Sequence, residues 1–335
     1  MDAGLLLEWV IKSFILVFAL LTGFAYTTLY ERKALARIQV RIGPNRAGPF
    51  GFFQPVADGL KLIFKEELIP GQADKLIFIL APIITVIPAL IIMAVVPFGD
   101  KIVLFGREIT LYLLDVNVGV LYIVSIASIS VYGIVLAGWS SNNKYAMLGG
   151  IRSSAQMISY ELALGLAFIG PIMIAGSLSM VDIVEAQKEI GWFVLYQPLG
   201  AWIFWVATLA EVNRAPFDMP EAEQELTAGY HTEYSGMKFA LFFMAEYIKM
   251  IAVSAIAATL FFGGYRGPFV DQFPLLGPFY LLGKVFLLLF GMIWVRATLP
   301  RIRYDRLMAF GWKILLPLAL LNVVVTAVVL VIVGG

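Results

Sequence analysis

Eight stretches of this 335-residue chain are each long and apolar enough to cross a bilayer, and they leave the rest of the sequence little freedom. They run from Leu5 to Tyr30, Leu76 to Phe98, Val116 to Trp139, Ser153 to Met180, Ile190 to Ala210, Phe239 to Phe262, Pro274 to Val295 and Ile314 to Val333. A crossing needs about 20 residues in a helix that rises roughly 1.5 Å per residue, and every stretch reaches that length. Backbone polar groups in hydrocarbon must be bonded within their own segment, so each stretch is expected to be a helix. The predicted fold class is an all-α integral membrane protein of eight transmembrane helices, with short amphipathic helices in its loops. Residues 1–335 read as a single polytopic membrane domain without soluble domain, repeat or low-complexity segment. The first span opens with Asp2 and Glu8 instead of a basic run and has no small-residue cleavage site, so it reads as a retained helix.

Composition removes whole classes of chemistry. Charged residues make up 14 % of the chain, against roughly 25 % in soluble domains. The net charge of +1 carries no nucleic-acid footprint. With no Cys and a single histidine, His231, the chain has no ligands for a disulfide framework, a Cys-bound iron–sulfur cluster or a bis-His haem. Redox chemistry nearby must therefore come from other subunits. No GxGxxG, HExxH or EF-hand pattern occurs, and His231 reads as a hydrogen-bonded loop residue.

The loops after spans one, three, five and seven hold seventeen Lys and Arg, and the opposite loops hold four. The positive-inside rule then places the odd-numbered loops in the cytoplasm and both termini on the outer side of a cell membrane. The first of those loops, 31–75, contains a Gly/Pro-punctuated turn and then Phe53, Val56, Leu60, Ile63 and Phe64 at helical spacing, opposite a polar stripe of Gln54, Asp58, Lys61 and Lys65. This predicts an interfacial helix, which rests on anionic lipid headgroups, roofs a lateral opening for a lipid-like molecule or docks a peripheral partner.

The third cytoplasmic loop, 211–238, is acidic where loops are usually basic. It carries Glu211, Asp218, Glu221, Glu223, Glu225 and Glu233 against two bases. If Pro220 begins a helix, Glu221 and Glu225 share a face. Crowded carboxylates raise one another's pKa and suit proton exchange near neutral pH, whereas a plain solvated acidic loop would account for the same residues. Four further charges lie within spans: Glu161, Glu246, Lys249 and Lys284. An unpaired charge at bilayer depth costs on the order of 3 kcal/mol, so these must face the protein interior. Glu246 and Lys249, three apart, are placed to meet on one helix face, as members of a proton path or as a static packing pair.

Two long runs, ERKALARIQVRIGPNR at 31–46 and AEVNRAPFDMPEAEQE at 210–225, together with SYEL at 159–162 and AEY at 245–247, resemble a family of membrane subunits, the H subunits of bacterial NADH:quinone oxidoreductase (respiratory complex I) and subunit 1 of the mitochondrial enzyme. The resemblance runs over essentially the whole chain. It implies a translocase subunit that joins the redox arm of complex I to its membrane arm, with quinone as substrate and no metal, NADH, flavin or bond-making catalytic residue in this chain. It also implies partners: iron–sulfur and quinone-site peripheral subunits at the cytoplasmic loops, small membrane-arm subunits, and lipids. It places Glu31, Arg32, Asp58, Lys61, Arg214, Asp218 and Arg296 at or near a quinone tunnel. Glu161, Glu211, Glu221, Glu223, Glu225, Glu233 and Glu246 fall on an acidic path that couples quinone chemistry to proton translocation, and Lys249 joins them on its position beside Glu246. A hydrogenase or ferredoxin-linked relative is the nearest alternative. An autonomous proton-coupled transporter is a more distant one, and it would be expected to show two similar halves.

Overall fold

A computed structural model describes residues 3–104, 107–218 and 228–334. The long helices are α1 (Ala3–Ile38), α3 (Lys75–Ile92), α4 (Gly119–Ser140), α5 (Lys144–Ala175), α9 (Gly236–Phe261), α10 (Leu276–Thr298) and α12 (Leu316–Gly334). Shorter helices are α2 (Gln54–Phe64), α6 (Met180–Ile190), α7 (Phe193–Tyr196), α8 (Pro198–Glu211) and α11 (Tyr304–Phe310). A small hairpin that the sequence did not suggest, β1 (Lys101–Leu104) with β2 (Arg107–Thr110), pairs Lys101 with Thr110 and Leu104 with Arg107.

Among the described residues seven helices have the length and apolarity to cross a membrane, the last running from Tyr304 through a π turn at Gly311–Leu315 into α12. The stretch expected to form the fifth span departs from a single helix. It is broken at Gln197–Pro198 into α7 and the 14-residue α8, about 21 Å long at the helical rise. Proline at the first position of α8 lacks an N–H and starts a new helix. Non-helical backbone at membrane depth is tolerated only where protein covers it. That cover comes from α12, where Asn322 Nδ2 donates to Gln197 Oε1 (3.0 Å) and Thr326 Oγ1 accepts from Gln197 Nε2 (2.6 Å).

Small residues set the closest helix approaches. A Cβ on Gly133 of α4 would overlap the Thr85 hydroxyl of α3, and one on Gly138 would overlap the Ala146 carbonyl of α5. Against α5, α8 runs antiparallel: Gln156 Nε2 reaches the carbonyls of Ala210 and Phe217, each at 2.7 Å. This bond ties the first turn of the acidic loop to the helix that carries Glu161. Helices α4, α5, α8 and α9 thus surround a common interior. The outer faces of α1 and α12 stay apolar and exposed, as at Phe14, Phe18, Val324 and Val328.

The amphipathic helix forms as the 53–65 pattern predicts. Its apolar residues Val56, Leu60, Ile63 and Phe64 are exposed, so the chain itself does not bury that face. Lys284 has a structural occupation: its ammonium donates to the carbonyls of Phe262, Gly264 and Arg266, each at 2.7 Å, where the chain leaves α9. A cation among the terminal carbonyls of a helix is favoured by the helix dipole and by the unpaired C=O groups there.

Candidate functional site

Glu31 sits on the inward face of α1, one helical turn beyond Thr27 and Thr28, and is only 3 % exposed. Three side chains from three other segments converge on it. Tyr247 of α9 donates to Oε2 at 2.6 Å, Arg296 at the end of α10 pairs with Oε1, and Arg214 lies 3.6 Å from the same oxygen. Arg214 is itself 4 % exposed. Its Nε is 2.9 Å from Glu246 Oε1, and its guanidinium stacks 4.3 Å from the centre of the Tyr247 ring. The turn that carries it is pinned by Arg214 N to Leu209 O (3.2 Å) and Phe217 N to Arg214 O (2.8 Å). Arginine suits this position because a flat fork can face an aromatic ring and two carboxylates at once. Two carboxylates and two guanidinium groups thereby balance in one cluster, with Glu31 and Arg214 buried and Arg296 at its more exposed edge, as buried charges require.

On the other side of α1, Arg32 meets Asp58 of the amphipathic helix at 2.6 Å, with Lys61 at 3.7 Å and Gln54 at 3.2 Å from the same carboxylate. This group is much more exposed. Six of the seven expected tunnel residues therefore form two clusters on either side of one helix, one at the buried Glu31 and Arg214 with the partly exposed Arg296, and an open one at Arg32, Asp58 and Lys61.

Deeper in, Lys249 lies within electrostatic reach of Glu211, Glu246 and Glu161. It does not bond its helix neighbour Glu246, as the spacing of three suggested. Its ammonium donates instead to Ser130 Oγ of α4 at 2.6 Å, and Glu246 turns to Arg214. Glu161 of α5 is hydrogen-bonded to Ser128, two residues from Ser130 on the same helix. Helix α4 therefore supplies one hydroxyl to the base and one to the acid. Two small cavities flank Glu211 and Lys249. One, with about 30 Å³ open to water, is shared with Glu161, Thr208 and otherwise apolar walls. The other, of about 20 Å³, is shared with Glu246, Thr85, Tyr230 and His231.

The arrangement is a row of ionisable side chains, Glu31, Arg214, Glu246, Lys249, Glu211 and Glu161, contributed by α1, α8, α9, α5 and the turn after α8. Of the expected acids, Glu233 stands apart from it. Glu233 accepts from Asn143 Nδ2 at 2.7 Å and lines a surface cavity with Lys144 and Gln72. Asp218 is half-buried at the end of the described part of the acidic loop. Glu221, Glu223 and Glu225, with the helix expected after Pro220, lie outside the described residues. Sequence reasoning missed Tyr247, Ser128, Ser130 and the position of His231. That histidine is 5 % exposed among the rings of Tyr230, Phe239 and Phe242, and burial pushes it down to about 3, so it is neutral at physiological pH.

The chain is similar to known proteins along nearly its whole length. The family model described as NADH dehydrogenase matches residues 11–327. The H subunit of NADH-quinone oxidoreductase from Thermomicrobium roseum is 51 % identical, with 98 % of each chain covered. The first of the numbered H subunits of the same enzyme from Geobacter sulfurreducens is 54 % identical over 94 % of this chain and 92 % of the relative. The H subunit from Protochlamydia amoebophila is 51 % identical over 91 % and 92 %.

Proposed function

The chain belongs to the NADH dehydrogenase family as a membrane subunit of NADH-quinone oxidoreductase, and on that premise we propose that it carries both the quinone access route and the first part of the proton path of that enzyme. The observation that carries this reading is Arg214, which is shared between Glu31 and Glu246. One guanidinium thereby joins the side chains at α1 and α10 to the buried row that leads to Glu161.

Reduction of a quinone to a quinol takes two electrons and two protons. The electrons come from an iron–sulfur cluster in a partner, since this chain has no Cys to hold one. Negative charge that develops on the quinone headgroup is met by Arg32, Lys61 and Arg296, and apolar faces of α1, α2 and α10 solvate its tail. A change of charge near Glu31 alters how Arg214 divides itself between Glu31 and Glu246. Two unit charges 4 Å apart interact by roughly 4 kcal/mol at an effective dielectric of 20. About 1.4 kcal/mol already moves a titration by one pH unit, so a step of this size is ample to pass from Glu246 to Lys249, Glu211 and Glu161. Quinone chemistry thus biases the ionisation of groups that hand protons onward. The acidic residues Glu221, Glu223, Glu225 and Glu233 with Asp218 take part in proton exchange with this path, and both cytoplasmic loops dock the peripheral subunits. All 335 residues work as one polytopic domain.

Two measurements test the outer parts of this reading. Lys61→Ala is expected to weaken quinone reduction severalfold, or shift its inhibitor sensitivity, while NADH oxidation by an artificial hydrophilic acceptor stays intact. Equal loss of both activities would mean failed assembly and leave the tunnel assignment without support. Reporter tags on both termini are expected to be accessible from the periplasmic side. Eight crossings return the chain to its starting side, with the broken α7–α8 segment as the fifth, and a cytoplasmic C-terminus would remove that crossing from the count.

A further inference from the structure

Two residues that line one small cavity each carry a buried polar atom without a hydrogen-bond partner among the described residues: His231 Nε2 and Glu211 Oε2. Buried polar atoms in folded proteins are nearly always satisfied by protein or by ordered water. The cavity between them has about 20 Å³ open to water, above the roughly 10–15 Å³ that one water molecule needs. A lodged water also needs two to four polar neighbours, and Glu246, Lys249 and the Thr85 hydroxyl line the same space. The surroundings explain why the histidine can act here without titrating. Its ring is packed 3.8 Å from Tyr230, 5.5 Å from Phe239 and 5.4 Å from Phe242 by ring centres, and burial holds it neutral. The charged groups that face it are Glu211 from α8 and Glu246 and Lys249 from α9.

We propose that His231 and Glu211 hold one water molecule between them, and that this water carries protons between Glu246 and Glu211. The inference rests on the proton-path reading above and adds to it a residue whose own charge does not change. The water gives one hydrogen to unprotonated Nε2 and the other to Glu211 Oε2, and its lone pairs accept from protonated Glu246 and from Lys249. In the transfer, an O–H bond of Glu246 breaks as one forms on the water oxygen. An O–H bond of the water breaks as one forms on Glu211, and the water is regenerated. His231 is a positioning residue: it fixes the orientation of the water so that its second hydrogen points at the acceptor.

The test uses the intact complex containing this chain. A map that resolves waters is expected to show one within hydrogen-bond distance of both His231 Nε2 and Glu211 Oε2, and a dry cavity in a map that shows other buried waters overturns the proposal. His231→Phe keeps the aromatic packing and removes the nitrogen. It is expected to lower quinone-coupled proton pumping severalfold, with a larger solvent deuterium isotope effect on turnover. His231→Gln, whose amide can still hold the water, is expected to retain most of the rate. Unchanged turnover and isotope effect in assembled His231→Phe complex also overturn it, and if that variant does not assemble, the wild-type map decides. Glu211→Gln separates the two levels: if it blocks coupled turnover while His231→Phe does not, only the water inference falls. If Glu211→Gln itself turns over and pumps normally, the proton path falls and the water relay with it.

Discussion

Glu161→Gln is expected to lower quinone reductase turnover and proton pumping together, by at least about tenfold, below even the lower end of what a positioned proton-transfer group contributes. Glutamine preserves the shape of the side chain and still accepts a hydrogen bond from Ser128, so packing between α4 and α5 is kept. What it removes is the ability to change charge beside Glu211 and Lys249, and only a proton path depends on that. On the proposed coupling, electron transfer and pumping are linked, so blocking the proton step stalls both. Glu161→Asp keeps a titrating group and is expected to retain more activity than Glu161→Gln, although its carboxylate is withdrawn from Ser128. NADH oxidation by a hydrophilic acceptor serves as the assembly control. Normal pumping by an assembled Glu161→Gln complex would make Glu161 a packing residue and end the path at Glu211.

The parts of this site that were legible in the sequence are the ones that violate the character of their surroundings. Glu161, Glu246, Lys249 and Lys284 stand out because charges in apolar segments are expensive and must converge on something, whereas Glu31 and Arg214, in polar loops, stand out only through the family resemblance. The partners of those charges were far less legible. Helical spacing paired Lys249 with Glu246, but a guanidinium with several donors in a fixed plane competes better for a carboxylate than an ammonium three residues away. Glu246 therefore turned to Arg214, and Lys249 took the Ser130 hydroxyl. Ser128 and Ser130 gave no sequence signal at all. Serines in apolar helices ordinarily bond their own backbone: Ser130 donates to Ala127 O while it accepts from Lys249, and Ser128 shares its one proton between Val124 O and Glu161.

Hydropathy found the long helices because it sums over many residues, and for the same reason it passed over the break between α7 and α8. Pro198 and Gly191 were the available signals, but a window of apolar side chains outweighed them. What holds the broken ends together is the contact of Gln197 with Asn322 and Thr326, well over a hundred positions further along the chain. No local pattern predicts such a contact. The burial of His231 is of the same kind. Tyr230, Phe239 and Phe242 are visible around it in the sequence, but no local pattern predicts that their rings close over it.

Arg214→Met is expected to be the most damaging single change to assembly, because it leaves two buried carboxylates without the cation they share. Removing one partner of a buried ion pair costs about 3–5 kcal/mol, a large fraction of the roughly 5–15 kcal/mol that holds a typical folded domain. The amount of assembled complex, measured by co-purification of the peripheral subunits and by thermal stability in detergent, is expected to fall sharply. Arg214→Lys keeps the charge but not the planar fork on the Tyr247 ring. It should assemble better than Arg214→Met and still lose quinone-coupled turnover, since one ammonium cannot serve Glu31 and Glu246 in the same geometry. The double variant Arg214→Met with Glu246→Met separates folding from function. A buried pair replaced by apolar side chains of similar volume is often tolerated, so assembly is expected to recover in part. Quinone-coupled pumping is expected to stay lost, because Glu31 no longer has a charged route to Lys249. Recovery of pumping along with assembly would show that Arg214 and Glu246 only hold α9 against the turn after α8, and the link between the quinone route and the buried acids would have to run elsewhere.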